Sequence, residues 1–290
     1  MTRFRVTAAI AALSLLATGC AGQSASVGAA QAVAGDCAGA GMIGRFDPSH
    51  DLLIANYDSK PDVDDVQAVA ALGTVLRDPA FACVDYLATH GAYGTQTGSL
   101  LPAGHLFDLA FGDNWVDAHA DREGAVEVLT QRAMATLEAG GKVWVAEAGQ
   151  SDVTAAVVNN LPQETWIRIN VVQHSFWNES QTSPDAIQRV VYNTRYHRVQ
   201  DGNFPDNGSP AFNTEDGSHW QVLLADPQTG PIWREAKRLS DTHNPVAEYV
   251  NPAVAAGGLD FSDAVEIAYI FGFNDMAGVG DFVQRFANDD

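Results

Sequence analysis

Four aspartates fall within eight residues, Asp58-Ser59-Lys60-Pro61-Asp62-Val63-Asp64-Asp65. Carboxylates packed this closely raise one another's pKa unless solvent or a cation neutralises them. A hard, oxygen-seeking cation such as Ca²⁺ suits them, since it takes about six to eight oxygen ligands. The same groups can also take a proton from water. The competing reading is a capping cluster, with Asp62 or Asp64 as the N-cap of a helix.

The elements on either side place the acids. The apolar run Leu52-Leu53-Ile54-Ala55 reads as a short buried strand, and Val66, Val69, Ala70, Leu72, Val75 and Leu76 read as one face of an amphipathic helix. The cluster therefore sits at the carboxyl end of a strand, where open α/β sheets bind ligands. Strands are expected at 51–57, 82–89, 142–147 and 166–173. Helices are expected at 63–77, 121–139, 151–160 and 184–193, and near the end at 262–272 and 275–287. Such alternation implies an open, mostly parallel α/β sheet with helices on both faces, Rossmann-like in outline. Residues 200–218 are dense in turn-formers and read as a long loop, functional or mobile.

The strand ends share a character. The second is followed by Thr89-His90-Gly91, the third by Glu147-Ala148-Gly149-Gln150-Ser151-Asp152, and the fourth by His174-Ser175-Phe176-Trp177-Asn178-Glu179. Near the end comes Phe261-Ser262-Asp263-Ala264. Polar and glycine residues at each carboxyl end are what a site on one sheet edge requires.

This order resembles the nucleoside hydrolase superfamily, the calcium-dependent N-glycosidases. That family opens with a strand followed by D-x-D-P-G-x-D-D; here Asp58, Pro61, Asp64 and Asp65 keep that spacing. Glu147-Ala148-Gly149-Gln150-Ser151-Asp152 looks like its T-G-G-L-T-N turn, whose first carbonyl oxygen meets calcium. Phe176-Trp177-Asn178 echoes its ribose-holding E-F-N segment. Ser183-Pro184-Asp185-Ala186 is similar to its D-P-E-A helix start, and Ser262-Asp263-Ala264 to its final metal-binding segment. The likeness runs over about residues 50–275. It implies a domain over 46–290 and a Ca²⁺ site made by Asp58, Asp64, Asp65, Asp263 and the Glu147 carbonyl.

The implied activity is hydrolysis of an N-glycosidic or related glycosidic bond, which passes through an oxocarbenium-like state and needs an activated water. Asp58 and His174 are candidate catalytic groups. His90, Trp177, Asn178, Glu179 and Lys60 are candidate substrate contacts. The chain departs from the family at three places. Lys60 stands where the family has the aspartate that ligates metal and activates water, Asp62 stands for its glycine, and Ser262 for its histidine. Asp62 is the candidate substitute base. The alternative is a sugar- or nucleoside-binding protein that kept the fold and lost the base.

Each residue also has a plainer reading. His174 and His90 could cap the segments they precede, Trp177 could be core, and Asp263 could be a helix N-cap. His197 and His219 read as surface or core histidines, and no metal-spaced histidine pair occurs. There is no G-x-G-x-x-G, P-loop or G-x-S-x-G motif.

Residues 1–19 read as a lipoprotein signal. Arg3 and Arg5 are followed by an apolar stretch from Val6 to Leu16, then Leu16-Ala17-Thr18-Gly19-Cys20, with Cys20 the lipidation site. Residues 20–45, rich in Ala, Gly, Ser and Gln, read as a flexible tether. The expected location is the bacterial cell envelope, periplasmic or outer-membrane, with membrane contact only through the lipid. Cys37 and Cys83 then remain as a candidate disulfide in an oxidising compartment. The net charge of −20 argues against nucleic acid and anionic lipid headgroups as partners. The expected partner is a small nucleoside or sugar, and a homo-oligomer is compatible with that reading.

Overall fold

The computed structural model describes residues 37, 39–273 and 275–287. The signal, Cys20 and most of the tether lie outside them. Six parallel strands form the main sheet: β1 (Leu52–Tyr57), β2 (Asp85–His90), β3 (Trp115–Asp117), β4 (Val143–Ala148), β5 (Ile169–Gln173) and β6 (Arg195–Arg198). Their order is β3-β2-β1-β4-β5-β6. A two-residue antiparallel pair, β7 (Asn213–Thr214) and β8 (Leu259–Asp260), stands apart.

The helices are α1 (Asp64–Val75), α2 (Gly104–Phe111), α3 (Arg122–Glu138), α4 (Asp152–Asn160), α5 (Phe176–Gln181) and α6 (Pro184–Asn193). They continue with α7 (Trp220–Ala225), α8 (Gly230–His243), α9 (Pro252–Ala255), α10 (Val265–Phe271) and α11 (Val279–Phe286).

Strand alternation divides the core in two. Leu53, Ala55 and Tyr57 of β1 and Trp144, Ala146 and Ala148 of β4 face α1, α2, α8, α10 and α11. Leu52 and Ile54, with Val143 and Val145, face α3, α4 and α6. With both faces covered, the central strands are continuously buried, as parallel strands are. The outcome is the open α/β sheet that the alternation implies.

Two strands begin later than expected. Asp78 caps a 3-10 turn at Pro79–Phe81 by accepting from Ala80 N–H, so the chain becomes extended only at Asp85. Residues Gln163–Arg168 likewise form a 3-10 turn. Trp166 donates there to the Leu161 carbonyl and Arg168 to the Leu137 carbonyl, which leaves Ile167 exposed.

Packing also begins before residue 46. Arg45 N–H donates to the Ile270 carbonyl, and Ile43 packs on the core. Cys37 is bonded to Cys83, with Cα atoms 5.6 Å apart. Among the described residues no helix is long and apolar enough to cross a membrane.

Candidate functional site

In this strand order β1 and β4 are neighbours whose connections run to opposite sides of the sheet. A crevice opens outside their carboxyl ends at such a switch point. Asp58 directly follows β1, and Gly149 and Gln150 directly follow β4. The two ends approach so closely that a Cβ on Gly149 would lie 2.6 Å from the Ala92 carbonyl oxygen and 2.9 Å from Asp58 Cβ.

A cavity of about 270 Å³ occupies this crevice. Asp58, Lys60, Asp62 and Asp64 line it from the β1–α1 loop, His174, Ser175, Trp177 and Asn178 from the β5–α5 segment, and Asp263 from the turn before α10. Asp201, Asn203 and Tyr249 complete the wall from loops. A larger open groove, about 640 Å³, lies between α4 and α6 and holds none of the cluster's aspartates. The clustered carboxylates and His174 line the smaller cavity.

The acid loop is organised by its own backbone. Ser59, in the left-handed region at φ 58°, donates its N–H to Asp65 Oδ2. Lys60 N–H donates to Asp58 Oδ1 at 3.0 Å, and Asp65 N–H to Asp64 Oδ1 at 2.9 Å. Asp65 is buried behind the cavity, and its Oδ1 has no hydrogen-bond partner among the described residues. Burial and the neighbouring carboxylates push Asp64, Asp65 and Asp263 far above the usual range. Burial also raises Asp58, against hydrogen bonds from Lys60 N–H and Gln150. Asp62 is pushed up to about 7, chiefly by burial.

Lys60 does not neutralise this charge directly. Its Nζ donates to the Gln96 carbonyl at 3.1 Å and lies 3.7 Å from the centre of the Tyr93 ring. Burial lowers its pKa. Among the described residues it forms no ion pair within 4.0 Å. His174 is the residue that pairs with the buried acids. Its Nδ1 lies 2.6 Å from Glu266 Oε1 and its Nε2 3.4 Å from Asp263 Oδ1. Burial alone would lower its pKa, but the Glu266 charge and hydrogen bond prevail and raise it to about 9.

Three expected residues lie elsewhere. The Glu147 carbonyl accepts from Gln173 Nε2 at 2.8 Å. Strand alternation turns the Glu147 side chain to the opposite face, where Asn56 and Thr154 donate to it. His90 is buried among Phe107 and Trp115, with Nε2 3.2 Å from the Leu101 carbonyl oxygen. Glu179 accepts from Arg198 and Tyr196. None of these three side chains lines the cavity.

Sequence reasoning missed Asp201, Asn203, Tyr249, Gln150 and Glu266. Gln150 and Glu266 support Asp58 and His174 from behind, and Gln150 is the residue directly after the turn glycine Gly149. The other three sit on loops that have no periodicity to read.

The donor set fits a hard cation in chemical type, with clustered carboxylates and an unpartnered buried oxygen on Asp65. Closing it needs a shift of side chains. Among the described residues no three His, Cys, Asp or Glu side chains are arranged as they stand to hold a metal ion.

No protein-family profile matches the chain, and no curated protein matches it. Among solved structures it is similar to a plant nucleoside hydrolase, the PpNRh1 enzyme, with a TM-score of 0.47 and 13% identity, covering 76% of this chain and 79% of that one. A likeness of that degree says nothing of this chain's residues or activity.

Proposed function

We propose that this chain is a hydrolase of a glycosidic bond, with a nucleoside or a related small glycoside as substrate. The observation that carries the reading is the convergence of Asp58, Asp62, Asp64, Asp263, His174, Trp177 and Asn178 on one cavity at the switch point of the sheet. These residues come from separate elements, and packing alone gives no reason to collect so much like charge.

In this reading Asp62 takes the proton from the attacking water. Glu266 holds His174 by Nδ1, and Nε2, 3.4 Å from Asp263 Oδ1 on the cavity wall, is the group that would protonate the leaving group. Trp177 and Tyr249, 46% and 54% exposed, offer ring faces to a flat or sugar group. Asp58, Asp64, Asp65 and Asp263 would hold Ca²⁺, which when bound would supply Lewis acidity.

A second reading, a binding protein without catalysis, is favoured by the lysine at position 60 and by the unclosed ligand set. A hydrolysis panel of nucleosides and neutral glycosides, with calcium or with chelator, separates the two. Calcium at about 100 times its dissociation constant should stabilise the fold by about 2.7 kcal/mol and raise Tm. Asp65→Ala should abolish that rise. A calcium-dependent Tm without cleavage of any panel member selects the binding protein. No calcium effect on Tm or on cleavage removes the metal from both readings.

A further inference from the structure

Gln150 is fully buried, and each of its side-chain polar atoms is engaged. Gly94 N–H donates to its Oε1 at 3.0 Å. Its Nε2 donates to Asp58 Oδ2 at 2.7 Å and to Asn178 Oδ1 at 3.1 Å. The direction of this chain is forced. A backbone N–H can only donate, so the Gln150 oxygen must face Gly94. The Gln150 amide nitrogen must then face Asp58 and Asn178, and Asn178 must turn its own oxygen inward to accept.

One atom is left over. Asn178 Nδ2 makes no hydrogen bond among the described residues. It is not among the buried atoms without a partner, and Asn178 lines the cavity. The amide nitrogen therefore faces the cavity contents with two N–H donors.

We infer that Gln150 is a positioning residue: it fixes the Asn178 carboxamide as a hydrogen-bond donor to ligand and ties that donor to the carboxylate of Asp58. The ligand atom it selects is an acceptor, which the hydrolase reading makes a sugar oxygen; only that last assignment rests on the reading. An asparagine with no such partner would present its oxygen as readily as its nitrogen. Fixing it beforehand spares the ligand the cost of ordering it.

The test needs no substrate. In protein labelled with ¹⁵N at its side-chain amides, the Gln150 NH₂ should exchange with water at least about tenfold more slowly than the Asn178 NH₂, as buried and exposed donors do. Gln150→Met keeps the length and removes both polar atoms. It should free the Asn178 carboxamide to take both orientations, seen as doubling or broadening of its two resonances, with the backbone amide spectrum retained. A purely structural glutamine would leave the Asn178 signals unmoved in a folded variant, and that result overturns the inference. So does a wild-type protein in which Asn178 is the protected amide, a measurement that stands even if the variant does not fold. Failure of every glycoside in the panel removes the hydrolase reading and leaves the exchange pattern as it is. A reversed pattern does the opposite.

Discussion

Asp62 and Lys60 stand two residues apart and have opposite fates. The lysine, at the position where the family it resembles has a carboxylate, carries its ammonium out to Gln96 and the Tyr93 ring. The aspartate lines the cavity beside Asp58 and Asp64. The crevice thus holds a carboxylate from position 62 and none from position 60. In the proposed hydrolase reading Asp62 is the base, and an isosteric test follows. On a substrate found in the panel, Asp62→Asn should lower kcat by about 10²–10⁴-fold, the usual contribution of a positioned general base. The melting curve and calcium response should stay close to wild type. Full activity in that variant would mean that another group activates the water. Trp177 and Asn178 line the cavity, whereas Glu179, the next residue, turns to Arg198. Helical geometry decides this: successive residues of α5 point about 100° apart, so a three-residue segment cannot serve one site.

The elements hold the site by close approach, and β4 shows how. Gly149 leaves no room for a side chain between Ala92 and Asp58. Gly149→Ala should therefore push the β4 turn off the aspartate, costing about 1–3 kcal/mol as overpacked cores do. Urea unfolding would measure the loss, and an unchanged midpoint would show that the crevice can widen freely. The Cys37–Cys83 link closes 46 residues of chain around β1 and α1. Cys83→Ser should lower stability by about 2–4 kcal/mol on the loop-entropy argument, and reductant should do the same to wild type but not to the variant. Elements in the middle of the sheet were the legible ones. β1 and β4 are buried on both faces and open on apolar runs, Leu52–Ala55 and Val143–Ala146, and the bounds expected for α1, α3, α4 and α6 fall within two residues of those observed at each end. Edge strand β6, Arg195-Tyr196-His197-Arg198, carries no such run because its flanking residues face solvent. The buried residues of α8, Ile232, Trp233, Ala236, Leu239 and Ser240, recur at helical spacing, but no strand end or motif flanks them to mark the helix. Site residues at strand ends could be named because topology gathers them. Asp201 and Tyr249 could not, since tertiary packing alone brings their loops over the cavity.

Across the whole molecule, acid is in excess, with 36 Asp and Glu against 16 Lys and Arg. Part of that excess is buried, which makes stability depend on pH. Glu147 isolates the effect, because its side chain lies on the face of the sheet opposite the cavity. Burial drives its pKa from 4.5 up to about 7, against hydrogen bonds from Thr154 and Asn56. Below about pH 4.5 the group is protonated in both folded and unfolded chains and contributes nothing to the difference. Between about 4.5 and 7 the unfolded chain has released the proton and the folded chain still holds it, so stability falls as pH rises. Above about 7 both forms are ionised and the full penalty remains, on the order of 3 kcal/mol. Asp260, raised to about 7 by burial and by Asp64, adds to the same slope. Glu147→Gln keeps the shape and cannot ionise, so it should remove its own share and leave the rest. With chelator present throughout, urea unfolding at about pH 5 and about pH 8 would give the two slopes. The wild type should lose on the order of 3 kcal/mol more than Glu147→Gln over that interval. Equal losses would mean that the folded protein ionises Glu147 as readily as the unfolded chain does, and that Asn56 and Thr154 stabilise a buried carboxylate in full.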